Sequence, residues 1–248
     1  MAEQGGKLSG QMIKGYELRD LIGSGGFGEV YRAYQPAVGR EVAVKIILAR
    51  YANDPDFVRR FEVEAQLVAR LEHIHIVPLY DFWRDPDGAY LVMRWLRGGN
   101  LRDLLLRGSI LPLSFVRQML DQISAALEVA HRSGVIHQDL KPDNVLLDDQ
   151  RNAFLADFGI AKDLQALEAD DREAQGPRLG TPAYISPEQV LRRPITSQSD
   201  IYSLGIMLYE LLTLQVPFDD DDRATLLSKH IHDPLPAIQI LRPDLPSQ

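Results

Sequence analysis

Apolar and polar residues alternate along residues 16–94 in short runs that are rich in β-branched and aromatic side chains, and Gly, Pro and Asp separate the runs. Runs of this length and composition predict β-strands. The predicted strands cover residues 16–22, 29–35, 40–48, 77–83 and 89–94. Their short connections favour a small antiparallel sheet in this part of the chain.

One helix interrupts the predicted strands. Its apolar positions recur at helical spacing and are Phe57, Phe61, Ala65 and Val68. Pro55 suits the first helical position, and either Asn53 or Asp54 can cap the helix. We expect the helix to run to about Arg70.

The pattern becomes helical after Gly98 and Gly99. Helical periodicity covers residues 101–107, 114–133, 199–214 and 223–232, and long loops separate these segments. The helix at 199–214 is apolar on most sides, which places it inside a mainly helical body. Polar residues such as Glu210 interrupt its apolar stretch, so we predict no membrane span. Asp222 is placed to cap the last helix.

Composition excludes several classes of protein. The 248 residues are 45% hydrophobic and 25% charged, as in a soluble globular protein with one large core or two smaller lobes. The net charge of -8 provides no basic field for nucleic acid or an anionic membrane. The absence of cysteine excludes disulfides, cysteine-based zinc sites and cysteine nucleophiles. Residues 1–15 lack the apolar core of a signal peptide, so we expect a cytoplasmic protein, with a tether through a downstream segment left open.

A glycine-rich segment provides the first candidate for chemistry. Its residues match G-x-G-x-x-G and are Gly23, Ser24, Gly25, Gly26, Phe27 and Gly28. Such a segment is either a hairpin turn or a loop whose backbone N–H groups approach phosphate oxygens. A dinucleotide-binding loop must open a helix, but Pro36 and Gly39 cut the following segment short. The loop therefore joins two strands.

Lys45 lies in the middle of the strand that follows. The period of two places it on the same strand face as Glu41 and Ala43. A lysine beside a glycine loop can contact phosphates, although an edge-strand charge without a role is the commoner case. Glu64 in the following helix can hold the lysine head, and Glu62 is the competing candidate.

The most specific signal begins at His137. The sequence reads His137-Gln138-Asp139-Leu140-Lys141-Pro142-Asp143-Asn144 and, after a short strand, Asp157-Phe158-Gly159. With Val42-Ala43-Val44-Lys45 upstream, these segments resemble the serine/threonine protein kinases, specifically the bacterial eukaryotic-like (Hanks-type) branch, over roughly residues 16–248.

The resemblance implies an α+β fold with two lobes. The smaller lobe, residues 16–94, would be an antiparallel sheet with one helix, preceded by an N-terminal extension at residues 1–15. The larger, mainly helical lobe would cover residues 95–248, without the family's last helices. Because those helices normally bring an arginine to the position matching Glu188, we expect this carboxylate to lack that partner and a patch of the lobe to be uncovered.

The resemblance also implies the function, which is transfer of the γ-phosphate of MgATP to Ser or Thr of protein substrates. Asp139 would be the catalytic base, Lys141 would steady the γ-phosphoryl group, and Asn144 and Asp157 would hold magnesium. Lys45 would contact the α- and β-phosphates and pair with Glu64. The remaining ATP-binding positions would be Ile22, the glycine segment, Val30, Ala43, Met93 as gatekeeper, the backbone of Arg94 and Leu96, and Leu146, with Ala43 and Leu146 on either side of the adenine.

The segment from Gly180 to Glu188 resembles the family's substrate-docking and Ala-Pro-Glu segment, with Ser186 in place of the usual alanine. Thr181 would touch Asp139 and Lys141, as in serine/threonine kinases. Asp200 would anchor the His137 loop by accepting hydrogen bonds from its backbone N–H groups.

Two departures from the family pattern concern regulation. Gln138 replaces the arginine that receives an activating phosphate in most relatives, and residues 160–180 contain no Ser, Thr or Tyr. Loop order should therefore not depend on phosphorylation within that loop. The same segment carries fixed negative charges at Glu168, Asp170, Asp171 and Glu173. These charges either replace the charge of an activating phosphate or simply belong to a solvated loop.

Other functions fit the sequence less well than the kinase interpretation. A pseudokinase scaffold, or a fragment with little activity, is the main alternative, but Lys45, Asp139, Asn144 and Asp157 are all present. A small-molecule phosphotransferase would not explain the segment from Gly180 to Glu188. The histidine pairs of residues 73–75 and 230–232 lack an evident third metal ligand. The acidic run at 219–222 is a solvated helix entry or a docking site for basic substrates.

Overall fold

The computed structural model describes residues 6–26, 28–159 and 182–245. The described residues divide into two compact units. The first contains residues 6–72 and 77–95, and the second contains residues 73–76, 96–159 and 182–245. No helix among the described residues is long and apolar enough to cross a membrane.

The first unit is built on a six-stranded antiparallel sheet. Its strands are β1 (Met12–Ile13), β2 (Tyr16–Gly25), β3 (Gly28–Gln35), β4 (Arg40–Leu48), β5 (Leu79–Asp85) and β6 (Gly88–Arg94). The strand order is β1-β2-β3-β4-β6-β5. The predicted antiparallel sheet is confirmed, and only the short strand β1 was not predicted.

Alternation along β4 separates the two faces of this sheet. Val42, Val44 and Ile46 are buried in a core with Tyr31 and Trp83. Ala43 and Lys45 point to the opposite face because successive residues of a strand alternate. Leu8 and Ile13 pack against the same core, so the residues before β2 form part of the unit.

Two helices accompany the sheet. They are α1 (Ala49–Ala52), which was not predicted, and α2 (Pro55–Ala69), which matches the predicted helix. The carboxylate of Asp54 accepts a hydrogen bond from Phe57 N at 2.9 Å, so Asp54 is the cap. The amide of Asn53 donates instead to Pro86 O at 3.1 Å.

The second unit is mainly helical. Its helices are α3 (Leu101–Leu105), α4 (Leu113–Arg132), α5 (Pro187–Val190), α6 (Ser197–Thr213) and α7 (Arg223–His232). Helix α6 is buried on most sides, as its apolar sequence predicts. Asp222 caps α7 by accepting from Thr225 N at 2.8 Å. Both predictions are confirmed.

A small hairpin of β7 (Val145–Leu147) and β8 (Ala153–Leu155) completes the second unit. Ile76 bridges to Leu155 in parallel, so the segment 73–76 pairs with this hairpin. A 3-10 turn, Pro142–Asn144, leads directly into β7. This turn carries residues of the candidate site.

Candidate active site

The glycine segment forms the predicted turn between two strands, with Gly25 opposite Gly28 in the β2–β3 register. A Cβ atom at Gly28 would lie 1.9 Å from the backbone oxygen of Ile46, so only glycine fits there. A Cβ atom at Gly25 would meet nothing within 4 Å. The fold therefore requires glycine at Gly28, whereas the space beside Gly25 is open.

Strand register brings several predicted nucleotide-binding residues of the first unit to one face of the sheet. Val30 lies opposite Lys45, and Ala43 lies opposite Met93. Directly opposed residues have their Cβ atoms on the same face. That face is opposite to the core face of Val42 and its neighbours. Ile22 and Ser24 lie in β2, where Ile22 is exposed.

The two candidate partners for the lysine differ in burial. Glu64 is half-buried on the face of α2 that also carries the buried residues Phe61, Ala65 and Val68. Glu62 is exposed. Burial therefore favours Glu64 as the carboxylate that α2 turns toward the protein.

Two side chains of the second unit converge on the carboxylate of Asp139. Lys141 Nζ donates to Asp139 Oδ2 at 2.7 Å. Asn144 Nδ2 donates to the same oxygen at 3.0 Å and to the Asp139 carbonyl at 2.7 Å. Among the described residues, Asp139 Oδ1 accepts no hydrogen bond, so one oxygen is held while the other can face a substrate.

The backbone before Asp139 is anchored by a buried aspartate. Asp200 is fully buried, and its carboxylate accepts from His137 N at 2.8 Å and from Gln138 N at 2.7 Å. His131 Nε2 lies 2.7 Å from the same carboxylate. A buried carboxylate needs such donors, and the predicted role of Asp200 is confirmed.

His137 is packed beneath this loop. It is fully buried, its Nε2 lies 2.9 Å from Ala156 O, and its ring centroid is 4.7 Å from that of Phe158. Burial lowers the pKa of His137, although the carboxylates of Asp200 and Asp139 act in the opposite direction. The imidazole is therefore neutral, and Nε2 carries the proton that is donated to the carbonyl.

Oxygen atoms suited to a hard cation lie in the same unit. Because Asn144 Nδ2 is directed at Asp139, the other amide atom, Oδ1, is the one that can bind a cation. Asp157 has a positive φ of 56°. The Asn144 carbonyl accepts from Ala156 N at 2.9 Å, which ties the turn to the strand that precedes Asp157. An amide oxygen and a carboxylate fit Mg²⁺ that keeps waters and phosphate oxygens as its other ligands.

Three further residues that are predicted to contact adenine are described. Arg94 N donates to Pro78 O at 3.1 Å in the first unit. In the second unit, Leu96 is buried and Leu146 is half-buried in β7.

A buried polar cluster, which the sequence did not reveal, joins three parts of the second unit. Arg102 of α3 donates to Glu210 Oε1 at 2.6 Å and to the Tyr184 hydroxyl at 2.6 Å. Tyr184 in turn donates to Glu210 Oε2. Arg102 Nε also lies 3.4 Å from Asp143 Oδ2 in the 3-10 turn. Burial and Glu210 raise the pKa of Tyr184, so its hydroxyl stays protonated.

The carboxylate of Glu188 forms a hydrogen bond with the Ser199 hydroxyl. Its carboxylate accepts from Ser199 Oγ, and no Lys or Arg of the described residues forms an ion pair with it. Burial alone would raise the pKa of Glu188, but the hydrogen bonds from Ser199, its own backbone and Ser186 lower it overall. The contact that the structure describes for the Glu188 carboxylate is therefore the one with Ser199.

Several predicted residues lie outside the described residues. They are Phe27, Thr181, Gly180 and the acidic positions Glu168, Asp170, Asp171 and Glu173. The histidine pairs are described and make protein contacts. His75 Nδ1 lies 2.9 Å from Ala153 O, and His230 Nδ1 lies 2.8 Å from the Tyr202 hydroxyl. Across the described residues, no three or more His, Cys, Asp or Glu side chains cluster as metal ligands.

Known proteins resemble this chain in sequence. The serine/threonine-protein kinase PrkC of Bacillus subtilis is 37% identical over 240 residues, which is 96% of this chain and 37% of PrkC. The serine/threonine-protein kinase PknA of Mycobacterium tuberculosis is 39% identical over 236 residues, which is 93% of this chain and 53% of PknA. The chain thus spans only part of the length of these relatives.

Similarity extends to structure. A crystal structure of the Mycobacterium tuberculosis PknI kinase domain matches with a TM-score of 0.75 and 27% identity, covering 96% of this chain and 85% of that one. This match confirms the predicted kinase-like fold. The model of the protein kinase domain matches residues 16–247. The chain therefore belongs to the protein kinase domain family.

Proposed function

We propose that this chain is a serine/threonine protein kinase that transfers the γ-phosphoryl group of MgATP to a hydroxyl of a protein substrate. The observation that carries the proposal is the Asp139 carboxylate, whose Oδ2 is held by Lys141 and Asn144. Among the described residues its Oδ1 has no donor. A carboxylate held in this way can accept the proton of a hydroxyl at a defined position.

Asp139 orients the substrate Ser or Thr hydroxyl and accepts its proton through Oδ1. Lys141 holds Asp139 through a hydrogen bond of 2.7 Å and would place its positive charge beside the transferring phosphoryl group. Asp200 and His137 keep the backbone of the loop in place from below. Catalysis of this reaction depends on positioning and on stabilising charge, and these residues supply both.

ATP-binding roles are proposed for the residues that match the nucleotide-binding positions of the family. In the first unit, the glycine segment and Lys45 would contact the phosphates, with Glu64 holding the lysine. The adenine contacts would be made by Ile22, Val30, Ala43, Met93, Arg94, Leu96 and Leu146. Because Arg94 N already donates to Pro78 O, its adenine contact would use the carbonyl.

Asn144 Oδ1 and the Asp157 carboxylate would hold Mg²⁺. When bound, this ion neutralises charge on the phosphate oxygens. The amide orientation of Asn144 supports this role because its Nδ2 is already directed at Asp139. Thr181 would contact Asp139 and Lys141 from the segment that docks the protein substrate.

Incubation with MgATP and a generic basic protein, followed by mass spectrometry, tests the proposal. Phosphoserine or phosphothreonine should appear on the added protein or on the chain itself, and omission of Mg²⁺ should abolish it. Absence of any phosphorylated residue from folded protein, over a range of protein substrates, would favour the scaffold alternative.

A further inference from the structure

Gln138, the residue before Asp139, has an unusual backbone conformation. Its φ is 66°, in the left-handed region that non-glycine residues rarely adopt. Such a conformation is unfavourable for a residue with a side chain and persists only where its surroundings fix it. Strain of this kind next to a catalytic group raises the question of which contacts hold it.

Contacts from two helices fix the peptide groups on either side of Gln138. Gln138 N donates to Asp200 Oδ1 of α6 at 2.7 Å. The Gln138 carbonyl accepts from Gln189 Nε2 of α5 at 2.8 Å. That carbonyl belongs to the planar peptide group whose N–H is Asp139 N, and this N–H donates to His137 O at 2.9 Å. Both polar atoms of the peptide that leads into Asp139 are therefore held.

The amide orientation of Gln189 is determined by its neighbours. Gln189 Oε1 accepts from Ser186 N at 2.9 Å and from Ser186 Oγ at 3.1 Å. A rotated amide would place its NH₂ group against the Ser186 N–H donor and its oxygen against the Gln138 carbonyl. Only the observed orientation satisfies both sides, so Gln189 links the start of α5 to the loop of Asp139.

We propose that Gln189 is a positioning residue, which holds the strained Gln138 peptide and thereby aims the Asp139 carboxylate. The catalytic part of this inference rests on the proposed kinase function. The contact uses an amide and a backbone carbonyl, so it requires no phosphate on residues 160–180. Gln138 lacks the charge that would receive such a phosphate, and Gln189 provides a fixed support for the same loop.

Two substitutions separate the donor and acceptor roles of Gln189. Gln189→Glu keeps the shape and still accepts from Ser186, but it cannot donate and it places a negative charge beside the Gln138 carbonyl. Gln189→Lys keeps a donor for that carbonyl but cannot accept from Ser186. Gln198→Glu makes the same chemical change at an exposed position of α6 and serves as the matched control.

We expect Gln189→Glu to lower kcat by about tenfold, the effect of one lost hydrogen bond with added repulsion, and to leave the KM for ATP nearly unchanged. Amide hydrogen exchange should become faster in peptides covering residues 137–141. In both kcat and the hydrogen exchange of residues 137–141, Gln189→Lys should stay closer to the wild-type protein than Gln189→Glu does. Gln198→Glu should match the wild-type protein in both measurements.

Wild-type kcat and wild-type exchange in Gln189→Glu would overturn the inference. The donor role would also be overturned if Gln189→Lys loosened residues 137–141 as much as Gln189→Glu does. If the wild-type chain proved inactive, the proposed function would fail, whereas hydrogen exchange would still show whether Gln189 holds the loop.

Discussion

The two carboxylate oxygens of Asp139 have different surroundings. Oδ2 accepts from Lys141 and Asn144, and these bonds restrict rotation of the carboxylate. Oδ1 has no donor among the described residues, so its lone pairs would be available to the hydroxyl that the proposed function requires. A base that is held through one oxygen can be aimed without losing its capacity to accept a proton.

Replacement of the two main charges of the proposed site should remove most activity without unfolding the protein. Asp139→Asn removes the base, and Lys45→Met removes the phosphate-binding charge. We expect each to reduce phosphoryl transfer by about 10²–10⁴-fold, because both groups stabilise reacting charge. The kinase assay and a thermal melt check this, and near-normal turnover of Asp139→Asn would contradict the role of Asp139.

Asp200 anchors the loop before Asp139, so its replacement should lower the stability of the protein as well as its activity. In Asp200→Asn, one of the two oxygens that accept from the loop is replaced by an NH₂ group, which leaves a buried N–H without an acceptor. We expect the free energy of unfolding to fall by about 1–3 kcal/mol in urea denaturation. Asp121→Asn, whose carboxylate is exposed on α4, should change it by less than about 0.5 kcal/mol. Equal effects in the two variants would argue against the anchor.

At the scale of elements, two glycines of the same turn have different roles. Gly28 is required by the fold, and Gly25 is predicted to be required for ATP binding. Gly28→Ala would place a methyl group against the backbone of Ile46, which cannot move aside as a side chain can. We expect this variant to lose about 1–3 kcal/mol of stability, as in other overpacked sites. Gly25→Ala meets no atom within 4 Å and should keep its stability while its KM for ATP rises.

Denaturant unfolding and ATP titration of the two alanine variants check this pair. Each serves as the control for the other, since the substitution is the same and the positions are three residues apart. A stable Gly28→Ala protein would show that β3 and β4 separate easily at this point. Unchanged nucleotide affinity in Gly25→Ala would place the phosphates elsewhere.

A comparison of predicted with observed strands and helices shows which sequence patterns are reliable. Strands β2 to β6 and helices α2, α4, α6 and α7 were predicted because each has a clear hydrophobic period or a cap. The short elements β1 and α1 contain only two and four residues, too few for a period to be detected. The formation of β1 depends on a neighbour in the fold, because its two residues pair with β2.

In the candidate site, too, some residues were predictable from local sequence patterns and others were not. Asp139, Lys141, Asn144, Asp157 and Asp200 were predicted because they lie at fixed spacing in recognisable motifs. The Arg102–Glu210–Tyr184 cluster was missed because its members are 26 to 108 residues apart. Gln189 was missed for a similar reason, since its partner Gln138 is 51 residues away. Pairing across such distances is set by tertiary packing, which leaves no local pattern.

At the scale of the whole molecule, buried histidines determine how stability responds to mild acid. Burial lowers the pKa of His137 and also that of His230, which packs against Tyr202 and Phe218. In the unfolded chain a histidine has a pKa of about 6.5. Below that pH the unfolded state therefore binds protons that the folded state does not, and stability falls as the pH falls.

We expect the free energy of unfolding to drop by about 1–3 kcal/mol between pH 7.5 and pH 5.5, with each histidine contributing at most about 1.4 kcal/mol per pH unit. Carboxylates with lowered pKa, such as Glu188 and Asp220, add their losses only at lower pH, as the pH falls through their ordinary range near 4. Urea denaturation at a series of pH values measures this slope. A flat profile down to pH 5.5 would show that the buried rings are protonated without cost.

His137→Phe isolates the contribution of the ring beneath the Asp139 loop. The variant loses the hydrogen bond to Ala156 O, so its stability should be lower than that of the wild type at pH 7.5. It cannot gain a proton on unfolding, so its loss between pH 6.5 and pH 5.5 should be smaller, and the two curves should converge as the pH falls. Parallel curves would mean that His137 is not the group that resists protonation, and would assign the slope to His230.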